Sequence, residues 1–204
     1  HVVCRRQRQM CIRDRMYQNR IEKVLVLDKV GNLSGLMTMK DIEKSAAFPL
    51  ATKDSSGQLI VAAAIGTETQ TIERAEALKA AGVDVLVVDS AHGHSKNVID
   101  TVKLIKQTFS DIQVVGGNVA TPDGALALIE AGADAVKIGM GPGSICTTRI
   151  IAGIGVPQVT AILKIREAIK KLSVPLIADG GIRFSGDLAL SLIHISEPTR
   201  RTTI

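Results

Sequence analysis

One cysteine of the chain has neighbours that suit it for covalent chemistry. Cys146 follows Gly139, Met140, Gly141, Pro142, Gly143, Ser144 and Ile145, and precedes Thr147, Thr148 and Arg149. A thiol reacts as its thiolate, and oriented N–H groups, hydroxyls or a nearby positive charge stabilise that form. Three glycines and a proline in so short a run cannot continue a strand or start an ordinary helix. They predict a loop whose backbone approaches a ligand closely. The plain alternative is a small buried cysteine beside a tight turn. The glycines, the hydroxyls and the place after an apolar run (133–138) favour a nucleophile.

A second candidate is Asp179-Gly180-Gly181, again after an apolar run. A carboxylate at a strand end takes both hydroxyls of a ribose, and the glycines behind it expose N–H groups to phosphate. The alternative there is a tight turn with a helix-capping Asp. His92 and His94 stand at i and i+2, but no third ligand completes a metal spacing, and a metal reading is rejected. Thr38 and Asp41 open a helical stretch, where both residue types also serve as caps.

The elements that position these residues alternate. Strands are predicted at 59–65, 83–88, 112–115, 133–138 and 174–178, and helices at 72–81, 96–108, 123–131 and 159–172. Near-continuous apolar strands between helices predict a parallel sheet. Ala-Gly-x-Asp closes two of the helices, at 81–84 and 131–134, with the glycine as a C′ cap. Five such units fit a doubly wound open sheet or part of a barrel. Polar and glycine residues gather at the five strand ends: Gly66-Thr67, Asp89 to Ser95, Gly116-Gly117-Asn118, the cysteine loop and Asp179 to Arg183. Before them, residues 16–46 read as a hairpin (23–28 and 33–38) followed by a helix from 39.

The two ends, 1–15 and 190–204, show no periodicity joined to their neighbours. Both read as non-native, adapter-like flanks. They hold seven arginines against Asp14 and Glu197, which accounts for the whole formal charge of +5, so 16–189 is neutral. The basic balance is then no argument for nucleic acid or membrane partners. Two of the three cysteines, Cys4 and Cys11, lie in the first flank. A lone Cys146 suits a reducing compartment and excludes a disulfide framework. No apolar run approaches the roughly 18 residues a membrane helix needs.

The run from Gly139 to Arg149 resembles the catalytic loop of the inosine-5′-monophosphate dehydrogenase and guanosine monophosphate reductase family. Its continuation, Ile150-Ile151-Ala152-Gly153-Ile154-Gly155-Val156-Pro157-Gln158, is more similar to the dehydrogenase branch, since the reductase tends to be lysine-rich there. The resemblance spans 16–189. It implies an α/β fold: a partial (β/α)8 TIM barrel, strands three to seven, at 47–189. The last part of a CBS domain precedes it at 16–46, with Thr38 and Asp41 placed for the ribose of an adenine or guanine nucleotide. The implied reaction is NAD-dependent oxidation of inosine monophosphate (IMP) to xanthosine monophosphate through a covalent cysteine thioimidate, in the guanine-nucleotide branch of purine biosynthesis.

Under that resemblance Cys146 attacks the purine and Thr148 assists with protons. Ser144, Asp179, Gly180 and Gly181 hold the nucleotide. Asp89 holds the NAD ribose, and Gly139, Met140 and Gly141 border the nicotinamide. The carbonyls of Gly141, Gly143 and Cys146 match a potassium (K+) site. The intact enzyme is expected to be a cytoplasmic homotetramer with no nucleic acid or membrane partner. The family's flap, whose Arg–Tyr pair activates water, follows strand eight, so the segment alone is expected to be inactive. The alternatives are a guanosine monophosphate reductase and a nucleotide-sensing CBS protein with an inactive barrel. Intact Cys146-Thr147-Thr148 speaks against the second.

Overall fold

The computed structural model describes residues 12–187. The flank expected at 190–204 and most of the one at 1–15 lie outside them. The chain falls into two compact units, divided between Lys53 and Asp54.

The first unit holds a helix over residues 12–18 (α1), an antiparallel hairpin of β1 (Lys23–Leu27) and β2 (Leu33–Thr38), and α2 (Met39–Ala47). The turn is built by Asp28, whose Oδ1 accepts from the N–H groups of Val30 and Asn32 at 2.8 and 2.9 Å. Gly31 takes the positive φ, +95°. Thr38 and Asp41 form a reciprocal capping box on α2: Thr38 Oγ1 accepts from Asp41 N–H, and Asp41 Oδ2 accepts from Thr38 N–H. The helix-cap reading of these two residues is therefore observed. Helix α1 runs across residue 15 and buries Met16.

The second unit alternates strand and helix: β3 (Ala62–Ile65), α3 (Thr71–Ala80), β4 (Val85–Asp89), α4 (Lys96–Thr108), β5 (Gln113–Val119), α5 (Pro122–Glu130), β6 (Ala135–Ile138), α6 (Thr148–Ile151), α7 (Gln158–Ala168) and β7 (Leu176–Ala178). All strand pairs are parallel, and spatial order equals chain order, β3-β4-β5-β6-β7. A doubly wound sheet reverses its order at a switch point. Strict succession through right-handed crossovers puts α3, α4, α5 and α7 on one face, as in a sector of a (β/α)8 barrel.

Leu86, Val88, Val114, Val136 and Ile138 of the strands join Ala75, Val98, Val102, Ile105, Leu128 and Ile165 of the helices in one core cluster. The alternate strand positions, Val85, Val87, Asp89 and Lys137, point to the other face.

The predicted elements survive with shifted ends. Strands expected at 83 and 133 start two residues later, because Gly-x-Asp belongs to the turn. Gly82 and Gly132 take φ of +90° and +101° as C′ caps. The aspartates of the two turns then reach across the sheet. Asp84 Oδ2 accepts from Val61 N–H at 2.8 Å, and Asp134 Oδ2 from Val114 N–H at 2.7 Å and Lys106 Nζ at 2.9 Å. The strand expected at 112–115 runs on to Val119, with a register shift between Gly117 and Val119. The helix expected to reach 172 ends at Ala168.

Candidate active site at the strand ends

Cys146 lies half-buried in the loop between β6 and α6. That loop closes on itself when Gly143 O accepts from Cys146 N–H at 3.2 Å. Its thiol donates to Thr148 Oγ1 at 3.4 Å. The Thr148 hydroxyl and then its backbone N–H hold the thiol below its usual pKa; desolvation opposes them, and the Arg149 guanidinium adds a lesser lowering. Thr148 reaches it because α6, a single turn absent from the sequence expectation, starts at that residue. Ser144 and Ile145 are exposed at the loop's tip.

The Asp179 loop packs directly on this one. A Cβ on Gly180 would lie 3.3 Å from Gly143 N, and one on Gly181 3.0 Å from Pro142 Cβ. Both glycines have positive φ, +80° and +77°. At the base, Asp179 N–H donates to Ile138 O at 2.8 Å, and Gly139 leaves no room for a side chain: a Cβ there would collide with Asp179 O. Met140, half-buried, accepts at its carbonyl from Val156 N–H at 3.0 Å. Gly141, with φ of +75°, sits under Ile154 and Arg149. The nucleophile candidate and the expected nucleotide-binding glycines therefore share one rim.

Three residues to which the sequence reading gave no role tie this rim together, although Asn118 stood among the polar strand ends. Asn118 Nδ2 donates to Asp179 Oδ2 at 2.8 Å and to Gly139 O at 2.9 Å. Gln158, buried at the start of α7, donates from Nε2 to Ile138 O at 2.8 Å and to Asp179 O at 3.3 Å. Lys137 Nζ stands 3.1 Å from Asp89 Oδ1 and 3.0 Å from Asp179 Oδ2. Burial opposes the lysine's charge, but the two carboxylates outweigh it and raise its pKa above the ordinary value. Desolvation likewise opposes ionisation of Asp179; Asn118 and Lys137 together lower its pKa all the same. A lysine inside an otherwise apolar strand was the available signal, since charge is almost never buried unpaired.

The donor set suits a nucleotide pair. Asp89 and Asp179 each keep one carboxylate oxygen clear of Lys137, an acceptor for sugar hydroxyls. Asn118 Oδ1 is a buried acceptor with no partner among the described residues. The expected potassium carbonyls are hard neutral oxygens. One of them, Gly141 O, accepts from Arg149 Nη1 at 3.2 Å. A separate groove of about 830 Å³ runs between β3 and α3, with Asp89 on its rim and the Cys146 loop outside its lining.

A family model described as the IMP dehydrogenase / GMP reductase domain matches residues 12–197, which takes in 12–15 and 190–197 of the expected flanks. Inosine-5′-monophosphate dehydrogenase of Rhodopirellula baltica is 59% identical over 176 residues, covering 86% of this chain and 32% of that protein. Those of Aquifex aeolicus and Chlorobaculum tepidum are 57% and 56% identical over 173 and 179 residues. They cover 85% and 88% of this chain and 35% and 36% of the relatives. The chain thus spans about a third of the length of these relatives. Among solved structures, a GMP reductase variant from Trypanosoma brucei superposes with a TM-score of 0.76 at 42% identity, over 90% of this chain and 42% of that one. GMP reductase from the same organism in complex with guanosine 5′-triphosphate gives 0.74 at 42% identity, over 90% and 44%. With the cysteine loop, the Asp-Gly-Gly turn and the successive parallel strands all in place, the chain belongs to the IMP dehydrogenase / GMP reductase family.

Proposed function

We propose that the full-length protein oxidises inosine monophosphate to xanthosine monophosphate with NAD. The observation that carries this is the packing of Gly180 and Gly181 against Pro142 and Gly143, which brings a thiol in contact with Thr148 to the same rim as Asp179. Identity to dehydrogenases over most of the chain favours this sense over the reductase.

Cys146 Sγ, as thiolate, adds to C2 of the purine and forms a C–S bond. The hydride leaves C2 for an acceptor, which bound NAD would supply. The resulting thioimidate is hydrolysed by water, whose oxygen stays on C2 while the thiolate departs. Splitting one hard step in two is the gain from covalent catalysis. Thr148 holds a proton at Sγ or gives one back. Asp179 takes the nucleotide's ribose hydroxyls, and Ser144, Gly180 and Gly181 offer hydrogen bonds to the rest. Asp89 takes the dinucleotide ribose beside Gly139, Met140 and Gly141. K+ on the carbonyls of Gly141, Gly143 and Cys146 would stiffen the loop, with Arg149 competing for the first oxygen.

Around this site the reading is a CBS remnant at 16–46 that takes an adenine or guanine nucleotide, a barrel segment at 47–189, and adapter-like flanks at 1–15 and 190–204. The intact enzyme is read as a cytoplasmic homotetramer. No described helix is long and apolar enough to cross a membrane. Sequencing the gene through both junctions tests the flanks directly: family-like sequence in place of 1–15 and 190–204 is the expected result.

The function is tested with the full-length gene product. Cys146→Ser is expected to lower NADH formation at least ~1000-fold, and inosine monophosphate should protect Cys146 from alkylation in the parent. Substantial turnover by the serine variant would refute the assignment.

A further inference from the structure

Lys137 occupies the middle of a row that runs straight across the sheet. Asp89 pairs with Gly117, Gly117 with Lys137, and Lys137 with Ile177. To reach Asp89 on β4 from β6, the lysine side chain must cross β5 at Gly117. That glycine is the opening: a Cβ there would stand 2.5 Å from Lys137 Cβ and 2.8 Å from Lys137 O. The ammonium then meets Asp89 by Oδ1 and Asp179 by Oδ2. Two carboxylate oxygens that each touch one ammonium near 3 Å lie within roughly 6 Å of each other, where like charges repel strongly away from bulk water. Asn118 falls on the same Oδ2 of Asp179, so the other oxygen of each aspartate is left to a ligand.

We propose that Lys137 is a positioning residue that couples the two ribose sites, holding Asp89 for the dinucleotide and Asp179 for the substrate nucleotide through one shared positive charge. The inference rests on the dehydrogenase reading above. Without the ammonium the two aspartates face each other unscreened. One then takes a proton or both swing apart, and both sugars lose their acceptor together. A residue that merely filled space in β6 would not link the two ligands.

The test uses the full-length gene product with inosine monophosphate and NAD, following NADH at saturating concentrations of each in turn. Lys137→Met is expected to raise KM for both substrates about tenfold while kcat changes less than about threefold, because the lysine acts through the two aspartates. Lys137→Arg keeps the charge and should return both KM values to within about threefold of the parent. Adding Asp89→Asn to Lys137→Met removes the repulsion, so KM for inosine monophosphate should fall back toward the parent's rather than rise further. A rise in only one KM, an arginine variant as impaired as the methionine one, or additive effects in the double variant would each overturn the coupling and leave the dehydrogenase reading standing. No NADH from the parent protein would overturn that reading and the coupling with it.

Discussion

Thr148 sets the immediate surroundings of the Cys146 thiol. Its hydroxyl lies 3.4 Å from the thiol, and its hydroxyl and N–H are the two largest influences that lower the thiol's pKa. A lowered pKa means that thiolate persists to lower pH than in an ordinary cysteine, so alkylation should stay fast as pH falls through the usual thiol range. Thr148→Ala removes the hydroxyl but keeps the N–H. The midpoint of the alkylation-rate profile should move to higher pH without reaching that of a free thiol. Measuring iodoacetamide rates from pH 5 to 10 on parent and variant checks this; coincident profiles would show that Thr148 leaves the thiol alone. Cys146, Thr148 and Asp179 were legible in the sequence because type and local company disclose them: a thiol among glycines and hydroxyls, a carboxylate before two glycines. Asn118 was placed at a strand end without its partners, and Lys137 and Gln158 were given no role. Their bonds join residues 61, 48 and 20 positions apart, and only the stacking of successive strands brings those ends together.

At the level of elements, the repeated Ala-Gly-x-Asp turn was legible as a helix end, and its glycines do take the left-handed conformation. Its aspartates carry a second task. Asp84 and Asp134 bind the backbone N–H of Val61 and Val114, at the starts of neighbouring strands, and so fix the parallel register from the helix side. Periodicity along one strand cannot show such a bond. The short helix α6 was hidden for a related reason: residues 139–149 carry loop signals throughout, and the helical turn follows directly on the point where Cys146 N–H closes onto Gly143 O. That loop is the element on which the potassium proposal acts. A monovalent cation on its carbonyls would hold Cys146 at the rim, and sodium, being smaller, would draw the same oxygens into a different arrangement. Turnover of the full-length protein is therefore expected to fall severalfold when sodium replaces potassium. Arg149→Gln, which takes a competing positive charge off Gly141 O, should lower the potassium concentration needed for half-maximal rate. Equal rates in both salts would count against a cation on this loop.

For the whole molecule, the order of the strands says most. Among the described residues, five parallel strands in strict succession have two edges, β3 and β7, and neither edge is joined to a further strand as a closed barrel would join it. The face turned away from the helices is also incomplete: Val85 and Val87 are only half-buried and Ile177 is exposed. In a closed (β/α)8 barrel such residues pack in layers drawn from alternate strands around the ring, so a five-strand sector fills no layer. The rim residues hang on this sheet, and catalytic groups misplaced by about 1 Å can cost roughly 100-fold in rate. The polypeptide of residues 1–204, made by itself, is thus expected to bind nucleotide poorly, to give no sustained NADH from inosine monophosphate and NAD, and to lose its circular dichroism gradually on heating. Its helices should still register in the far ultraviolet, because the cluster around Leu86, Val102, Leu128 and Val136 is buried on the helix face alone. Sustained turnover, or a sharp cooperative melt from a soluble monomer, would mean that five strands and this one layer of helices suffice to hold Cys146 and Asp179 in place.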